Sequence, residues 1–507
     1  MTPEVINISV LAPIGFVAIG AMIVLLGEVF LSRAKSFLGR EVNTRFIGSL
    51  LSLVAAVSML LSLVVACQWF VSGSSLTFNP SRPLVQLDSF SALITGVLAL
   101  AGLLSCALSY HYLDELKINH GEYYALILLA TSGMMLMVSA VDFLTVFLGL
   151  ELMSIPIYVL AGFDRRKLRS NESAMKYFLI GSFASALLLY GVALLYGATG
   201  STSFAALRSG FDGESTLAVI GVGLVLVGFA FKISSVPFHQ WTPDVYEGAP
   251  SAVTAFMSVT VKTAAVATLL RVVGMAFGPL DEALTNVVWV LAALTIVVGN
   301  VMAVIQDNVK RLLAYSSIAH AGYLLVGLVA GSPAGYSAVV FYLIAYTFMN
   351  LGAFAVVVAL AQRGADCERI ESFAGLAKSR PGLAALMTLF LLALAGIPPT
   401  VGFFAKFSIF MAAVNAGEVP LAILGVLMSV VSVYYYLRIP VLMYMREPGD
   451  QTNRGELSSG EIFVLTVCAI AVLFLGVFPN DGWLPLLGDL HVMDWARHSV
   501  ADLFPSG

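Results

Sequence analysis

The sequence predicts an all-α, polytopic membrane protein with about fourteen transmembrane helices. Three observations lead there. Of the 507 residues, 59% are hydrophobic and only 11% are charged, where a soluble protein carries about 25% charged residues. Apolar runs of about twenty residues, enough to cross a ~30 Å hydrocarbon core, recur along the whole length. The alternating ten-residue pattern of a membrane β-barrel is absent.

Taken in order, the expected spans lie near 10–31, 46–66, 87–110, 122–139, 142–162, 176–198, 216–236, 251–277, 284–305, 311–330, 335–361, 382–413, 420–442 and 461–478. The first is expected to be a span and not a signal peptide, because the N-terminus has no basic stretch and no cleavage site. The loops are short. Residues 1–507 therefore read as one integral membrane domain, with a three-helix segment over 1–121, repeats over 122–277 and 283–445, and a last helix and tail over 461–507.

Orientation follows from basic residues. Loops 32–45, 110–121, 163–176, 306–311, 362–381 and 443–460 hold eighteen Lys and Arg, including Arg33, Lys35, Arg40, Arg45, Lys117, Arg165, Arg166, Lys310, Arg311, Arg363 and Arg454. The opposite loops hold Arg82, Arg208, Arg271 and Arg497. Both termini are thus expected on the non-cytoplasmic side. Arg438 lies near the end of its span, where it can snorkel. Lys232, Lys262 and Lys406 remain, each well inside apolar sequence.

A lysine at the centre of a spanning helix costs roughly 2.5–3.5 kcal/mol on insertion scales. Such a charge is paired, hydrated or used. Lys232 precedes Pro237, and Lys406 follows Pro398 and Pro399. Proline inside a helix frees backbone carbonyls and tends to break it. Broken spanning helices persist only against protein or a water-filled cavity. The seventh and twelfth spans are therefore expected to be broken. They lie five spans apart, which predicts two five-helix repeats, spans 4–8 and 9–13, related by inversion. Glu151 lies mid-span and is the natural partner of a buried lysine. Side by side they hold each other charged; separated, either can exchange a proton. Glu28 and Asp142 lie close to span ends and read as solvated or snorkelled. His320 sits midway along RLLAYSSIAHAGYLLVGLVA. It fits a relay, since histidine titrates near neutrality, and it equally fits a satisfied packing residue. Tyr315, Ser316, Ser317 and Tyr323 are placed to line a hydrated path beside it. His239, just after the break, reads as a local cap or bond of the broken helix.

Other classes are excluded. A net charge of −4 gives no electrostatic footprint for nucleic acid. Cys67, Cys106, Cys367 and Cys468 are scattered, without a metal or disulfide pattern. Neither a Walker motif nor a dinucleotide-binding glycine motif is present. No metal or cofactor site is expected in this chain.

The stretches SSVPFHQWTPDVYEGAPSAVTAF, VKRLLAYSSIAHAGYLLVG and GIPPTVGFFAKF resemble the antiporter-like membrane subunits of bacterial NADH–quinone oxidoreductase, respiratory complex I. The second and third are shared with multisubunit cation/proton antiporters. The WTPDVYEGAP wording, and lysine rather than glutamate at Lys406, resemble the N-subunit branch. The resemblance implies a proton-translocating subunit of a cell inner-membrane translocase, driven by quinone reduction elsewhere. It implies that Glu151 and Lys232 form a working pair, that Lys262 is the central lysine and Lys406 the exit-side lysine, and that His320 is a polar relay between them. It places NADH, flavin, iron–sulfur clusters and quinone in partner subunits. The implied partners are other complex I membrane subunits, sister antiporter-like subunits among them, and the lipid bilayer. The alternative is a subunit of a multisubunit cation/proton antiporter, driven by gradients.

Overall fold

The computed structural model describes residues 6–38, 44–210, 215–278, 282–361, 368–447, 456–477 and 492–504, with backbone alone over 32–38 and 44–46. Arg40, Arg363, Arg454 and Cys367 lie outside the described residues, as do the side chains of Arg33, Lys35 and Arg45.

Among the described residues there are nineteen α-helices. The first nine are α1 (Ala12–Leu38), α2 (Thr44–Ser72), α3 (Ser89–Glu115), α4 (Gly121–Ser139), α5 (Phe143–Ala161), α6 (Leu168–Thr199), α7 (Phe204–Gly210), α8 (Thr216–Lys232) and α9 (Trp241–Gly248). Then come α10 (Ser251–Val272), α11 (Glu282–Val304), α12 (Val309–Val329), α13 (Pro333–Leu360), α14 (Leu376–Ser379), α15 (Pro381–Ala395), α16 (Val401–Asn415), α17 (Val419–Met445), α18 (Ser459–Val477) and α19 (Val492–Ala501). One small element departs from the all-helical expectation. Strands β1 (Leu76–Thr77) and β2 (Gln86–Leu87) pair antiparallel between α2 and α3, with Leu76 opposite Leu87.

Among the described residues, twelve helices are long and apolar enough to cross a membrane. The chain is a multi-pass membrane protein. The two expected spans that do not reach that length are the two expected to be broken. The seventh stops at Lys232, and the twelfth divides into α15 and α16. Fifteen residues of α-helix rise only about 22 Å, short of the ~30 Å core.

Helix starts are satisfied from within the sequence. Asp88 caps α3 by accepting from Ser91 N at 2.8 Å, while Ser91 Oγ accepts from Asp88 N at 2.9 Å. Asn308 accepts from Lys310 N and Arg311 N at 2.8 and 3.2 Å to start α12. Asp142 caps α5 through Leu144 N and Thr145 N at 2.9 and 3.2 Å, and accepts from Thr202 Oγ1 at 2.5 Å. Asp142 is thus a buried cap and not the solvated carboxylate expected. In hydrocarbon the orphan N–H groups of a helix start find no water, so the acid is drawn in to meet them. Glu28 likewise accepts from Gly121 N at 3.2 Å, tying α1 to α4.

The chain divides into two compact units. The first comprises Met1–Lys232, Thr260–Pro279 and Ala501–Gly507; the second comprises Ile233–Val259 and Leu280–Val500. In the first, α4 and α5 approach until backbones touch. A Cβ on Gly133 would lie 2.4 Å from Met153 N, and one on Gly149 would lie 2.7 Å from Met137 N. In the second, α12 and α13 are buried nearly end to end. Such burial leaves the polar side chains of α12 to find their partners within the protein.

Candidate functional site

The first break answers why a lysine stands before SSVPFHQ. After Lys232 the helix opens over Ile233–Gln240. The two serines tie the opened segment to α9 and α11. Ser234 Oγ accepts from Thr242 Oγ1 at 2.7 Å, across the break. Ser235 Oγ shares a hydrogen bond with Thr295 Oγ1 at 2.9 Å, and Thr295 Oγ1 accepts from Val236 N at 3.0 Å. The His239 carbonyl accepts from Thr242 N at 3.0 Å, at the entry to α9. His239 Nδ1 has no hydrogen-bond partner.

Lys232 is 2% exposed. Its Nζ donates to Ser154 Oγ at 2.7 Å and to Tyr158 OH at 3.2 Å, and lies 5.2 Å from the Tyr158 ring centroid and 5.6 Å from that of Tyr177. Aromatic faces and hydroxyls replace part of the lost hydration of the ammonium. Ser154 Oγ itself donates to Leu150 O, so its lone pairs are turned to the lysine. Glu151, Ser154 and Tyr158 are spaced i, i+3, i+7 on α5, one stripe of that helix. Glu151 is half-buried, and its Oε1 is buried with no hydrogen-bond partner. Ser154 and Tyr158, rather than Glu151, supply the hydrogen bonds to the ammonium. Glu151 remains within electrostatic reach of Lys232.

Lys262 lies on α10 and is 2% exposed. Threonines 260, 263 and 268 on the same helix are fully buried.

The second break places Lys406 differently. The carbonyls at the end of α15 have no helical partners and carry the negative end of the helix dipole. Lys406 Nζ donates to one of them, Ala395 O, at 2.9 Å and to Ser429 Oγ at 2.9 Å. The ammonium also lies 5.1 Å from the Tyr323 ring centroid. Gly396 makes this geometry available. Its φ is +83°, and a Cβ there would lie 2.9 Å from Lys406 Cδ. Gly396→Ala is therefore expected to displace Lys406 and to cost about 1–2 kcal/mol for the left-handed backbone. Thermal unfolding and proton uptake of the assembled complex check it; unchanged values for both would contradict the role given to Gly396.

From Lys406 a chain of polar side chains runs to His320 inside the second unit. Lys406 brings Ser429 and Tyr323 together, through its hydrogen bond to Ser429 Oγ and its contact with the Tyr323 ring. Tyr323 OH accepts from Asn300 Nδ2 at 3.2 Å, and Asn300 Oδ1 accepts from Tyr435 OH at 3.1 Å. The Tyr435 and Tyr436 rings pack together, centroids 4.4 Å apart. Tyr436 OH meets His320 Nε2 at 3.1 Å and Ser316 Oγ. His320 Nδ1 meets Tyr342 OH at 2.5 Å. Of the four residues expected beside His320, Ser316 and Tyr323 join this chain. Ser317 is fully buried, and the two ring nitrogens of His320 meet Tyr342 and Tyr436, with Tyr315 at neither. Asn300, Tyr342, Ser429, Tyr435 and Tyr436 were missed. The three consecutive tyrosines in SVVSVYYYLRIP were the available signal, since tyrosines turned inward from a span need buried partners for their hydroxyls.

Two buried cations were also missed. Arg271, expected as a plain basic residue of the sparsely charged side, is fully buried. It forms a two-pronged pair with Asp88 at 3.1 and 2.7 Å and donates from Nε to Ala140 O at 3.0 Å. Lys310 was assigned to a loop, yet it lies in the first turn of α12 and is 1% exposed. Its Nζ donates to Glu247 O, Ala249 O and Glu368 Oε1 at 2.7, 2.8 and 2.9 Å. Arg311 pairs with Asp244 and Glu247 at 2.8 and 2.9 Å. Thus VKR, opening α12, grips the WTPDVYEG helix α9 that follows the first break.

Residues 140–432 match the family model for NADH:quinone oxidoreductase/Mrp antiporter, TM. The chain belongs to this family. The matched segment contains Glu151, Lys232, Lys262, His320 and Lys406. A relative named NADH-quinone oxidoreductase subunit N, from Trichlorobacter lovleyi, is 45% identical over 482 residues, covering 94% of this chain and 96% of that one. A chain of respiratory complex I from Thermus thermophilus with bound aureothin is 33% identical, with a TM-score of 0.75 over 91% of this chain and 97% of that one. A chain of the Mrp complex from Dietzia sp. shares the fold, with a TM-score of 0.80 at 23% identity over 96% and 98% of the two chains. Chains of both kinds of complex share this fold.

Proposed function

We propose that this chain is the proton-translocating N-type membrane subunit of an NADH–quinone oxidoreductase in a cell inner membrane. It carries no redox centre. NADH, flavin, iron–sulfur clusters and quinone belong to partner subunits, and sister antiporter-like subunits are its membrane neighbours. Both termini lie on the non-cytoplasmic side, as the basic loops require. Near-full-length 45% identity to a relative named as subunit N supports the assignment over the antiporter alternative.

The observation that carries the proton reading is the run of polar side chains in contact from His320 to Lys406. Each end titrates, and tyrosine and serine hydroxyls both donate and accept. Asn300 is different. An amide has no acid–base function near neutrality, so it orients the Tyr323 and Tyr435 hydroxyls and leaves water to carry the proton past it. Glu151, unpaired at Oε1, is the group whose approach to Lys232 changes with quinone reduction. Drawing them together holds the lysine charged; separating them releases its proton toward Lys262. The proton then passes through His320 and leaves at Lys406. Spans 4–8 and 9–13 form the two inverted repeats that carry one broken helix each.

The direct test is co-purification and transport. Tagged chain, extracted from native membranes, is expected to bring flavin and iron–sulfur absorbance, and vesicles of that complex should take up protons on NADH addition. Isolation without redox partners, together with cation-driven proton exchange, would overturn the proposal. A finer test is Tyr436→Phe, which deletes only the hydroxyl between His320 and Ser316. One hydrogen bond contributes about 0.5–1.5 kcal/mol, so proton uptake should fall by up to about tenfold with assembly intact. Wild-type uptake would remove Tyr436 from the path.

A further inference from the structure

A groove of about 690 Å³ opens in the first unit, on the side richest in basic loops. Its walls are apolar: Leu25 of α1, Leu126 and Leu129 of α4, and Val159 of α5. Leu25 is 38% exposed and Val159 47%, so the groove is continuous with surface that meets hydrocarbon. Its mouth is lined by Lys117 and His120 from the loop before α4 and by Arg165 and Arg166 from the loop after α5.

The charges at the mouth are not equivalent. Arg166 is committed: its Nε pairs with the buried Asp164 at 2.9 Å, and its Nη2 donates to Leu116 O at 2.8 Å. Glu122 and Glu28 gather around His120, with ligating atoms within 4.8 Å of one another. Lys117 and Arg165 are exposed and have no ion pair among the described residues. Lys117 is also unusual in its backbone. It ends α3 at φ +57°, with Ile118 N donating to Leu113 O and Lys117 N to Asp114 O. That is the closing turn in which glycine is preferred. A lysine there complements the helix dipole, and its left-handed backbone has a cost of about 1–2 kcal/mol that glycine avoids.

We infer that this groove binds an acidic phospholipid, with acyl chain between α1, α4 and α5 and phosphate against Lys117 and Arg165. Apolar walls select a lipid over a free anion, and the two uncommitted cations select an acidic headgroup over a zwitterionic one. Basic pockets between spanning helices recognise such headgroups. The inference rests on the membrane setting alone and stands apart from the proton reading.

The test uses the intact purified complex in zwitterionic detergent, titrated with phosphatidylglycerol or phosphatidylcholine and read by native mass spectrometry. Wild type is expected to retain phosphatidylglycerol preferentially. Each Lys or Arg near a membrane surface contributes about 1 kcal/mol, so Lys117→Gln or Arg165→Gln should weaken binding about fivefold, and the pair about thirtyfold. Leu129→Trp, which fills the groove and keeps both cations, should also abolish retention. Equal binding of the two lipids, or unchanged binding by the double variant, overturns the inference. So does inorganic phosphate competing as well as the lipid, which would reduce the site to an anion site. A photoreactive residue at position 126 completes the set. Crosslinks to lipid support the groove's assignment, and crosslinks to another protein overturn it.

Discussion

Lys262→Arg is expected to leave the complex assembled and to stop NADH-driven proton uptake. Lys262 is buried on α10, and among the described residues no other titratable side chain lies in that helix before Arg271. Arg271 is committed to Asp88. A relay at this point has to accept and release a proton in every cycle. Guanidinium keeps its proton across the whole working pH range, so the substitution preserves charge and removes exchange. General acid–base groups contribute about 10²–10⁴ in rate, and a fall of about a hundredfold is the expected scale. Lys262→Met keeps much of the apolar stem, removes the charge and should fail as well. Quinone reductase activity should fall together with pumping wherever the two are tightly coupled. Proton uptake in vesicles, measured after assembly is confirmed, decides between relay and inert cation. Near-normal pumping by Lys262→Arg would leave Lys262 a structural charge.

Arg271→Met is expected to destabilise the chain by about 3–5 kcal/mol, because it leaves Asp88 charged and buried without its partner. Both side chains of the pair are fully buried. The loss is large against the 5–15 kcal/mol that holds a typical domain folded. Asp88 has a second task in capping α3. Asn at that position keeps an acceptor for Ser91 N and removes the charge. The double variant Asp88→Asn with Arg271→Met should therefore recover part of the loss. Chain abundance in membranes and thermal unfolding of the complex measure both. A single Arg271→Met variant as stable as wild type would show that water or another partner satisfies Asp88.

Much of the site was legible in the sequence, for one reason. Charge inside an apolar run is costly, so Lys232, Lys262 and Lys406 announce themselves wherever they fold. The breaks were legible through Pro237, Pro398 and Pro399, because proline cannot complete the helical ladder. The pairing was less legible. Glu151 was the obvious carboxylate for Lys232, yet Ser154 and Tyr158 take the ammonium, and neither residue looks exceptional in an apolar helix. Asp88, Asp142, Arg271 and Lys310 sit close to span ends, where position along the chain does not separate a buried cap from a solvated charge. The Asn300–Tyr435–Tyr436 stretch of the path escaped notice because tyrosine and asparagine carry little signal by themselves.

By itself the sequence determined that this chain crosses a membrane many times and carries three lysines it cannot hide in lipid. It determined where two helices must open. Those properties follow from local composition, and hydrocarbon enforces them residue by residue. Only the tertiary structure decided which groups face each lysine: hydroxyls on α5 for Lys232, a severed helix end and Ser429 for Lys406. It also decided that VKR holds α9 and that Arg271 closes on Asp88. Partners far apart in sequence are chosen by which helix faces meet, and a hydrogen bond of about 3 Å is made or lost by rotating a helix one residue.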